Sequence, residues 1–210
     1  MAWDEALLEG SREIGRPVLR FYGWTEPAAT FGYFQKFAEV EALTHLRPLI
    51  RRPTGGGLVP HTADWTYSIV IPPGDPWYEL KAVTSYRRVH QWIQAALSAV
   101  QVAATLSPTR QDGGPGQCFV GAEQFDLLQH GRKIAGAAQR RNRDGLLIQG
   151  SIQPAPDGVA RSDFEHALRA AATAEWNAEW TPFPLDERLH ARVAELVEAK
   201  YSGAVYNQGR

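Results

Sequence analysis

The 210-residue chain carries a formal net charge of -1, with 22 Lys and Arg against 23 Asp and Glu. A balance this even excludes the global basic field of a nucleic-acid or anionic-membrane binder, so attraction to an acidic partner has to come from a local patch. A single cysteine, Cys118, excludes an internal disulfide and any paired-cysteine zinc or redox site.

At this length, with 44% hydrophobic residues, one globular domain over residues 1–210 is expected. Asp4 and Glu5 interrupt the first apolar run and no later segment reaches the length of a membrane span, so a soluble, cytoplasmic protein is expected.

In chain order, "AWDEALLEG" places Trp3, Ala6 and Leu7 at helical spacing and stops at Gly10, which predicts a short N-terminal helix. "PVLRFYGW", "PLIRRP" and "TYSIVIPP" predict three strands closed by prolines or glycines. From Glu79 to Gln101, apolar Tyr86, Val89, Ile93, Leu97 and Val100 recur every three or four residues and predict a long amphipathic helix. "FDLLQ" and "RKIAGAAQ" flank His130-Gly131 as a hairpin, and "GLLIQGSI" follows as a third antiparallel strand. Two helical stretches, Asp163 to Thr173 and Asp186 to Tyr201, complete the chain, the second with Asp186 as N-cap and Gly203 as its stop. The fold class is α+β, helices covering an antiparallel or mixed sheet.

Two segments point to chemistry. In "RRPTGGGLVPH", Arg51 and Arg52 precede Thr54 and the run Gly55, Gly56, Gly57, with His61 beyond. Such glycines let backbone N–H groups approach a phosphate or an acyl carbonyl, but neither a Walker loop nor a dinucleotide fingerprint is present, and a plain turn reads equally well. In "GRKIAGAAQRRNRDGLLIQGSI", Lys133 opens a strand of small residues and Arg140, Arg141 and Arg143 end it. Taken singly, Lys133 reads as an edge-blocking surface charge, Cys118 as a small buried hydrophobe and His61 as a turn histidine.

Taken together, "MAWDEALLE", "LRFYGWTEPAATFGYFQ", "RRPTGGGLVPHTADWTYSIV" and "GRKIAGAAQRRNRDGLLIQGSI" resemble, in order and spacing, the lipoate-protein ligase, octanoyltransferase and biotin-protein ligase family, from residue 1 to about residue 155. The resemblance implies a biotin/lipoate ligase-type catalytic domain, with a larger mixed sheet and a smaller sheet around an acyl tunnel. It implies that Lys133 reaches the activated acyl carbonyl, that Gly136, Ala137 and Ala138 keep the tunnel floor open, and that the Arg51–His61 segment binds substrate.

Within that family, ligases activate lipoate with ATP and Mg, whereas octanoyltransferases take octanoate from acyl carrier protein, often through a cysteine thioester. Cys118 stands fifteen residues ahead of Lys133, as in the cysteine-dependent transferases the chain resembles. Gly57, where that branch usually has arginine, is the more ligase-like feature, and Thr62 follows His61 where aspartate is common in both branches. A non-catalytic acyl or carrier-binding relative is the third alternative. The transferase reading implies Cys118 and Lys133 as catalytic residues, no metal, no tightly bound cofactor, and an octanoyl or lipoyl group as substrate. Its partners are acyl carrier protein and a lipoyl-domain acceptor such as glycine-cleavage H protein or a 2-oxoacid dehydrogenase E2 subunit. Arg132, Arg140, Arg141 and Arg143 form an expected carrier-docking rim.

Overall fold

A computed structural model of the chain describes residues 1–111, 119 and 121–209. Among these, the helices are α1 (Ala2–Glu9), α2 (Ser11–Ile14), α3 (Phe37–Glu41), α4 (Ala82–Ala99), α5 (Arg161–Trp176), α6 (Glu187–Leu196), which runs on into a π-helical turn over Val197–Tyr201, and α7 (Ala204–Gln208). The strands are β1 (Val18–Tyr22), β2 (Ala28–Phe31), β3 (Leu49–Arg51), β4 (Val59–His61), β5 (Trp65–Ile71), β6 (Thr105–Leu106), β7 (Leu127–Gln129), β8 (Arg132–Arg141) and β9 (Leu146–Ile152).

A six-stranded sheet runs β1-β5-β9-β8-β7-β6 and a three-stranded sheet runs β3-β2-β4. Every pairing in the larger sheet is antiparallel. The parallel pair is β2 with β3, so the mixed character expected of the larger sheet belongs to the smaller one. The hairpin between β7 and β8 turns at His130 and Gly131, both at positive φ (50° and 77°), the backbone hand that lets a two-residue turn follow the strand twist.

Period-two alternation gives the larger sheet two different faces. Tyr67, Ile69 and Ile71 of β5 with Leu146, Ile148 and Ile152 of β9 face α4 and α5, and with Val89, Ile93, Leu97, Phe164 and Leu168 they form the main core. On the other face, Val70 of β5 and Leu147 of β9 pack under Leu7 and Leu8 of α1. The same face carries Thr66, Ser68, Gln149 and Ser151, which are buried but polar. The main core therefore sits on one side of the sheet, and the other side carries a smaller apolar cluster under α1 beside a polar, small-residue floor.

The predicted helices and the six predicted strands are present at α1, α4, α5, α6, β1, β3, β5, β7, β8 and β9, with "FDLLQ" through "GLLIQGSI" forming the β7-β8-β9 meander. The short strands β2 and β4 of the smaller sheet, and β6, go beyond the elements read from sequence. Asp186 caps α6, accepting from the backbone N–H of Leu189 at 2.8 Å. The C-terminal helices bind back onto α1 through Arg192–Glu9 and Lys200–Glu5 ion pairs. No helix among the described residues is long and apolar enough to cross a membrane.

Candidate active site

A pocket of about 450 Å³, its mouth included, opens on the polar floor of the larger sheet and is roofed by the smaller sheet. Its floor follows from strand register: Gly136 lies opposite Ser151, Ser151 opposite Thr66, and Thr66 opposite Tyr22, one row across β8, β9, β5 and β1. Ala138 and Gln149 make the next row. Small side chains on adjacent strands leave a trough, and Thr30, Val59 and His61 of the smaller sheet close it from above.

Lys133 stands at one end of this pocket. Its Nζ lies 2.7 Å from Oδ2 of Asp126, and the two side chains are 7% and 0% exposed. The ammonium also lies 4.9 Å from the ring centroid of Phe119, another pocket residue. Asp126 is itself fixed, accepting from the backbone N–H of Glu123 at 2.6 Å and from the Tyr86 hydroxyl. Gly136 makes this arrangement possible, because a Cβ there would meet Lys133 Cε at 2.6 Å and Nζ at 2.7 Å. The expected lysine is thus a buried, oriented cation and not an edge-blocking surface charge.

Behind Asp126, burial and then the carboxylate hold the Tyr86 phenol well above its ordinary pKa, and its ring packs 4.4 Å from that of His90. His90 is fully buried, and burial pulls its pKa down to about 4.

The glycine-rich segment divides into structural and pocket-lining parts. Arg52 lines the pocket; its guanidinium donates to Thr30 Oγ1 at 3.0 Å and to the carbonyls of Gly55 and Gly57 at 2.8 and 2.9 Å, so it shapes the glycine loop from inside. Gly56 has a φ of 86°, and its carbonyl passes so close to Gly32 that a Cβ there would stand 1.8 Å away. Thr54 donates to Gln149 Oε1 at 2.7 Å, and Gln149 donates to Asp4 Oδ2 at 2.7 Å, which ties the loop to the floor and the floor to α1. Burial works to raise the Asp4 pKa, but neighbouring positive charge and the hydrogen bonds from Ser68 and Gln149 leave it lowered.

Arg51 is placed differently. It is 1% exposed, lies outside the pocket wall, and donates to the carbonyls of Tyr33, Gln35, Tyr206 and Asn207 at 2.6–3.1 Å. It joins the turn after β2 to α7.

His61 lies in the wall with its ring stacked 4.1 Å from that of Trp24. Its Nδ1 is 2.9 Å from Asp64 Oδ2 and its Nε2 is 2.8 Å from Thr30 Oγ1. Thr62 follows His61 where aspartate was the family expectation, and the carboxylate that meets the His61 ring is Asp64.

Of the sequence-predicted residues, the pocket brings together Lys133, Arg52, His61, Gly136, Ala137 and Ala138. Thr54, Gly55, Gly56 and Gly57 support it from the adjoining loop. Cys118 lies outside the described residues. The arginines do not form one rim: Arg132 and Arg140 sit on the same strand, roughly 25 Å apart at about 3.3 Å per residue. Arg140 reaches the Pro53 carbonyl at 3.3 Å, Arg141 reaches that of Leu80 at 2.8 Å, and Arg143 is exposed. Asp126, Asp64, Thr30 and Gln149 were not singled out from sequence, and Tyr86 was read only as an apolar position of the long helix. The one available signal was Asp126, a carboxylate directly ahead of the apolar pair Leu127-Leu128 that begins β7. Among the described residues, no cluster of three or more His, Cys, Asp or Glu is placed to hold a metal ion.

An α+β domain with one anchored lysine in a small-residue trough corresponds to a known class. The chain belongs to the lipoyl protein ligase A/B catalytic-domain family, whose model matches residues 1–193. Among its relatives, octanoyltransferase LipM of Symbiobacterium thermophilum is 33% identical over 255 residues, covering 96% of this chain and 90% of that protein. Octanoyltransferase LipM of Carboxydothermus hydrogenoformans is 36% identical over 158 residues, covering 72% of this chain but 59% of its own length. Of solved structures, protein Ta0514 of T. acidophilum superposes with a TM-score of 0.81 at 21% identity, covering 100% of this chain and 92% of that one. A bi-partite lipoate protein ligase of Thermoplasma acidophilum, described with its E2 lipoyl domain, gives 0.72 at 20% identity over 99% and 90%. At such identities the structural likeness establishes the fold.

Proposed function

We propose that the chain is an octanoyltransferase of protein lipoylation, moving an octanoyl group from acyl carrier protein through Cys118 to a lysine of a lipoyl domain. The observation that carries this reading is the Lys133 ammonium, held at one end of the pocket by Asp126 and Gly136 in a chain one third identical to octanoyltransferases.

The acyl chain lies along the trough over Gly136 and Ala138, with its carbonyl near Lys133. Cys118 immediately precedes Phe119, whose ring lies against the Lys133 ammonium. In the first step the Cys118 sulfur attacks the thioester carbonyl, the carrier's thiol leaves with the proton, and octanoyl-Cys118 forms. In the second, the acceptor lysine's neutral amine attacks that thioester, the amide forms, and the amine's proton returns to the cysteine sulfur. In both, negative charge develops on the carbonyl oxygen. A fixed cationic donor beside it is worth ~2.7–4 kcal/mol of barrier. In this reading a cationic neighbour of the sulfur also favours the thiolate. The reading invokes no tightly bound cofactor and a cytoplasmic setting, in keeping with the lone cysteine.

The acceptor is a lipoyl domain of an E2 subunit or glycine-cleavage H protein. A second reading, the ATP- and Mg-dependent ligase, has Gly57 in its favour. The two are separated by octanoyl transfer from acyl carrier protein to a lipoyl domain without ATP. The transferase reading requires it to proceed in the wild type and to stop in Cys118→Ser; undiminished transfer in the serine variant removes the covalent route.

A further inference from the structure

Behind the trough, the Tyr86 hydroxyl of α4 joins two parts of the site that come from different strands. Antiparallel β7 pairs with β8 only as far as Ala135, so the backbone N–H of Ala137 lies past the end of β7. The Tyr86 hydroxyl accepts that N–H at 3.3 Å. The same hydroxyl donates to Asp126 Oδ1. The other carboxylate oxygen, Oδ2, takes the Lys133 ammonium at 2.7 Å and the Glu123 N–H at 2.6 Å. One phenol therefore ties the strand that floors the pocket to the counterion of the pocket's cation. Its own place is set by α4: fully buried His90, one turn on, packs its ring 4.4 Å away, and His90 Nδ1 lies 3.0 Å from the Tyr86 carbonyl. Across the strands, the Tyr67 ring covers Gly150, the residue opposite Ala137, where a Cβ would come within 2.1 Å of that ring.

We infer that Tyr86 is a positioning residue for acyl transfer, acting through Asp126 on Lys133. Asp126 is fully buried, and a buried carboxylate oxygen stripped of its donor is costly to leave unpaired. The ammonium on the neighbouring oxygen is the donor within reach. Without the phenol it would swing to bridge both oxygens and draw away from the pocket it lines. With Tyr86 in place Oδ1 is occupied, and Asp126 holds the ammonium through Oδ2 alone. The bond to Ala137 meanwhile fixes the floor between Gly136 and Ala138, the two small residues beneath the acyl path. The inference rests on the reading that Lys133 faces the reacting carbonyl, and adds to it the group that keeps Lys133 there.

The test is a double-mutant cycle of Tyr86→Phe and Lys133→Ala on the full chain. It reads kcat and KM for transfer from octanoyl-acyl carrier protein to a lipoyl domain, normalised to the folded fraction. Alone, Tyr86→Phe should lower kcat by about 10- to 100-fold, the scale of a misplaced reacting group, and leave both KM values within about 3-fold of the wild type. In the Lys133→Ala background the same substitution should change kcat by about 2-fold or less, because the group it positions is gone. A merely structural role would cost the same factor in both backgrounds. Replacing Tyr86 with 4-aminophenylalanine keeps a donor for Asp126 and an acceptor for Ala137, and should hold kcat within about 3-fold of the wild type. That variant carries the test if Tyr86→Phe fails to fold. A wild-type kcat in folded Tyr86→Phe, equal losses in the two backgrounds, or a loss of about 10-fold in the folded 4-amino variant overturns the inference and leaves Lys133 in its role. A Lys133→Ala variant as fast as the wild type overturns both.

Discussion

The Lys133 ammonium and the Asp126 carboxylate face each other at 2.7 Å in space that exists only because residue 136 is glycine. A methyl group there would overlap Lys133 Cε and Nζ, and the flexible lysine tip would give way before the β8 backbone. Gly136→Ala should therefore lower kcat for octanoyl transfer by about 100-fold, the scale of a misplacement of about 1 Å. Lys133→Ala should cost about 100- to 1,000-fold, the loss expected of one oxyanion donor. Steady-state kinetics normalised to the folded fraction checks both; a wild-type kcat in Gly136→Ala shows that the position of Lys133 does not limit the rate.

Arg51 and Arg52 are neighbours in sequence with different work. Arg51 satisfies four backbone carbonyls from the turn after β2 and from α7, and removing it leaves buried acceptors unpaired. Arg51→Met should lower stability by about 3 kcal/mol or more, while KM of the folded fraction stays near the wild-type value. Denaturant unfolding and kinetics on one preparation separate the two effects; an intact stability with a raised KM returns Arg51 to the substrate.

The β8-β9 strands and α4 were legible because their periodicity is long: β8 runs ten residues and α4 eighteen. β2 and β4 have four and three residues, and β4 contains a proline, so neither reaches the length at which alternation is distinct from a loop. Lys133 and the small residues that follow it were visible as a motif. The carboxylates that orient the site were not: Asp126 and Asp64 look like loop charges until folding brings Lys133 from one strand and Thr66 and Ser151 from two others onto them. Arg51 and Arg52 shared one expected role because a linear motif does not report which way each points.

The arginines at the end of β8 are the part of the expected rim that remains contiguous. Acyl carrier proteins are acidic, and steering of an acidic partner is screened over ~8 Å at physiological salt. Arg140→Glu with Arg141→Glu should raise KM for the carrier substrate, most strongly at low ionic strength, with kcat little changed. Arg132→Glu, at the opposite end of the strand, should do so far less. Equal effects of the two variants place docking outside the Arg140–Arg141 end.

His90 predicts an acid-labile core. Burial lowers its pKa from 6.5 to about 4, even though Asp126 pulls the other way. Between those values the unfolded chain binds a proton that the folded chain does not, so stability falls as pH drops from about 6.5 toward 4 and is unaffected by this group above 6.5. The full difference is roughly 3 kcal/mol. Urea unfolding across this range should show the slope in the wild type and a shallower one in His90→Phe; the same slope in both assigns the acid sensitivity to other groups.

The central claim is an octanoyl group carried on Cys118 with Lys133 beside it. The most direct measurement is the intact mass of the protein after incubation with octanoyl-acyl carrier protein in the absence of ATP, with peptide mapping of the adduct. The account predicts a single octanoyl adduct on Cys118 that disappears when a lipoyl domain is added and reappears on that domain's lysine. An unmodified protein that instead forms octanoyl-AMP when given octanoate and ATP would contradict it.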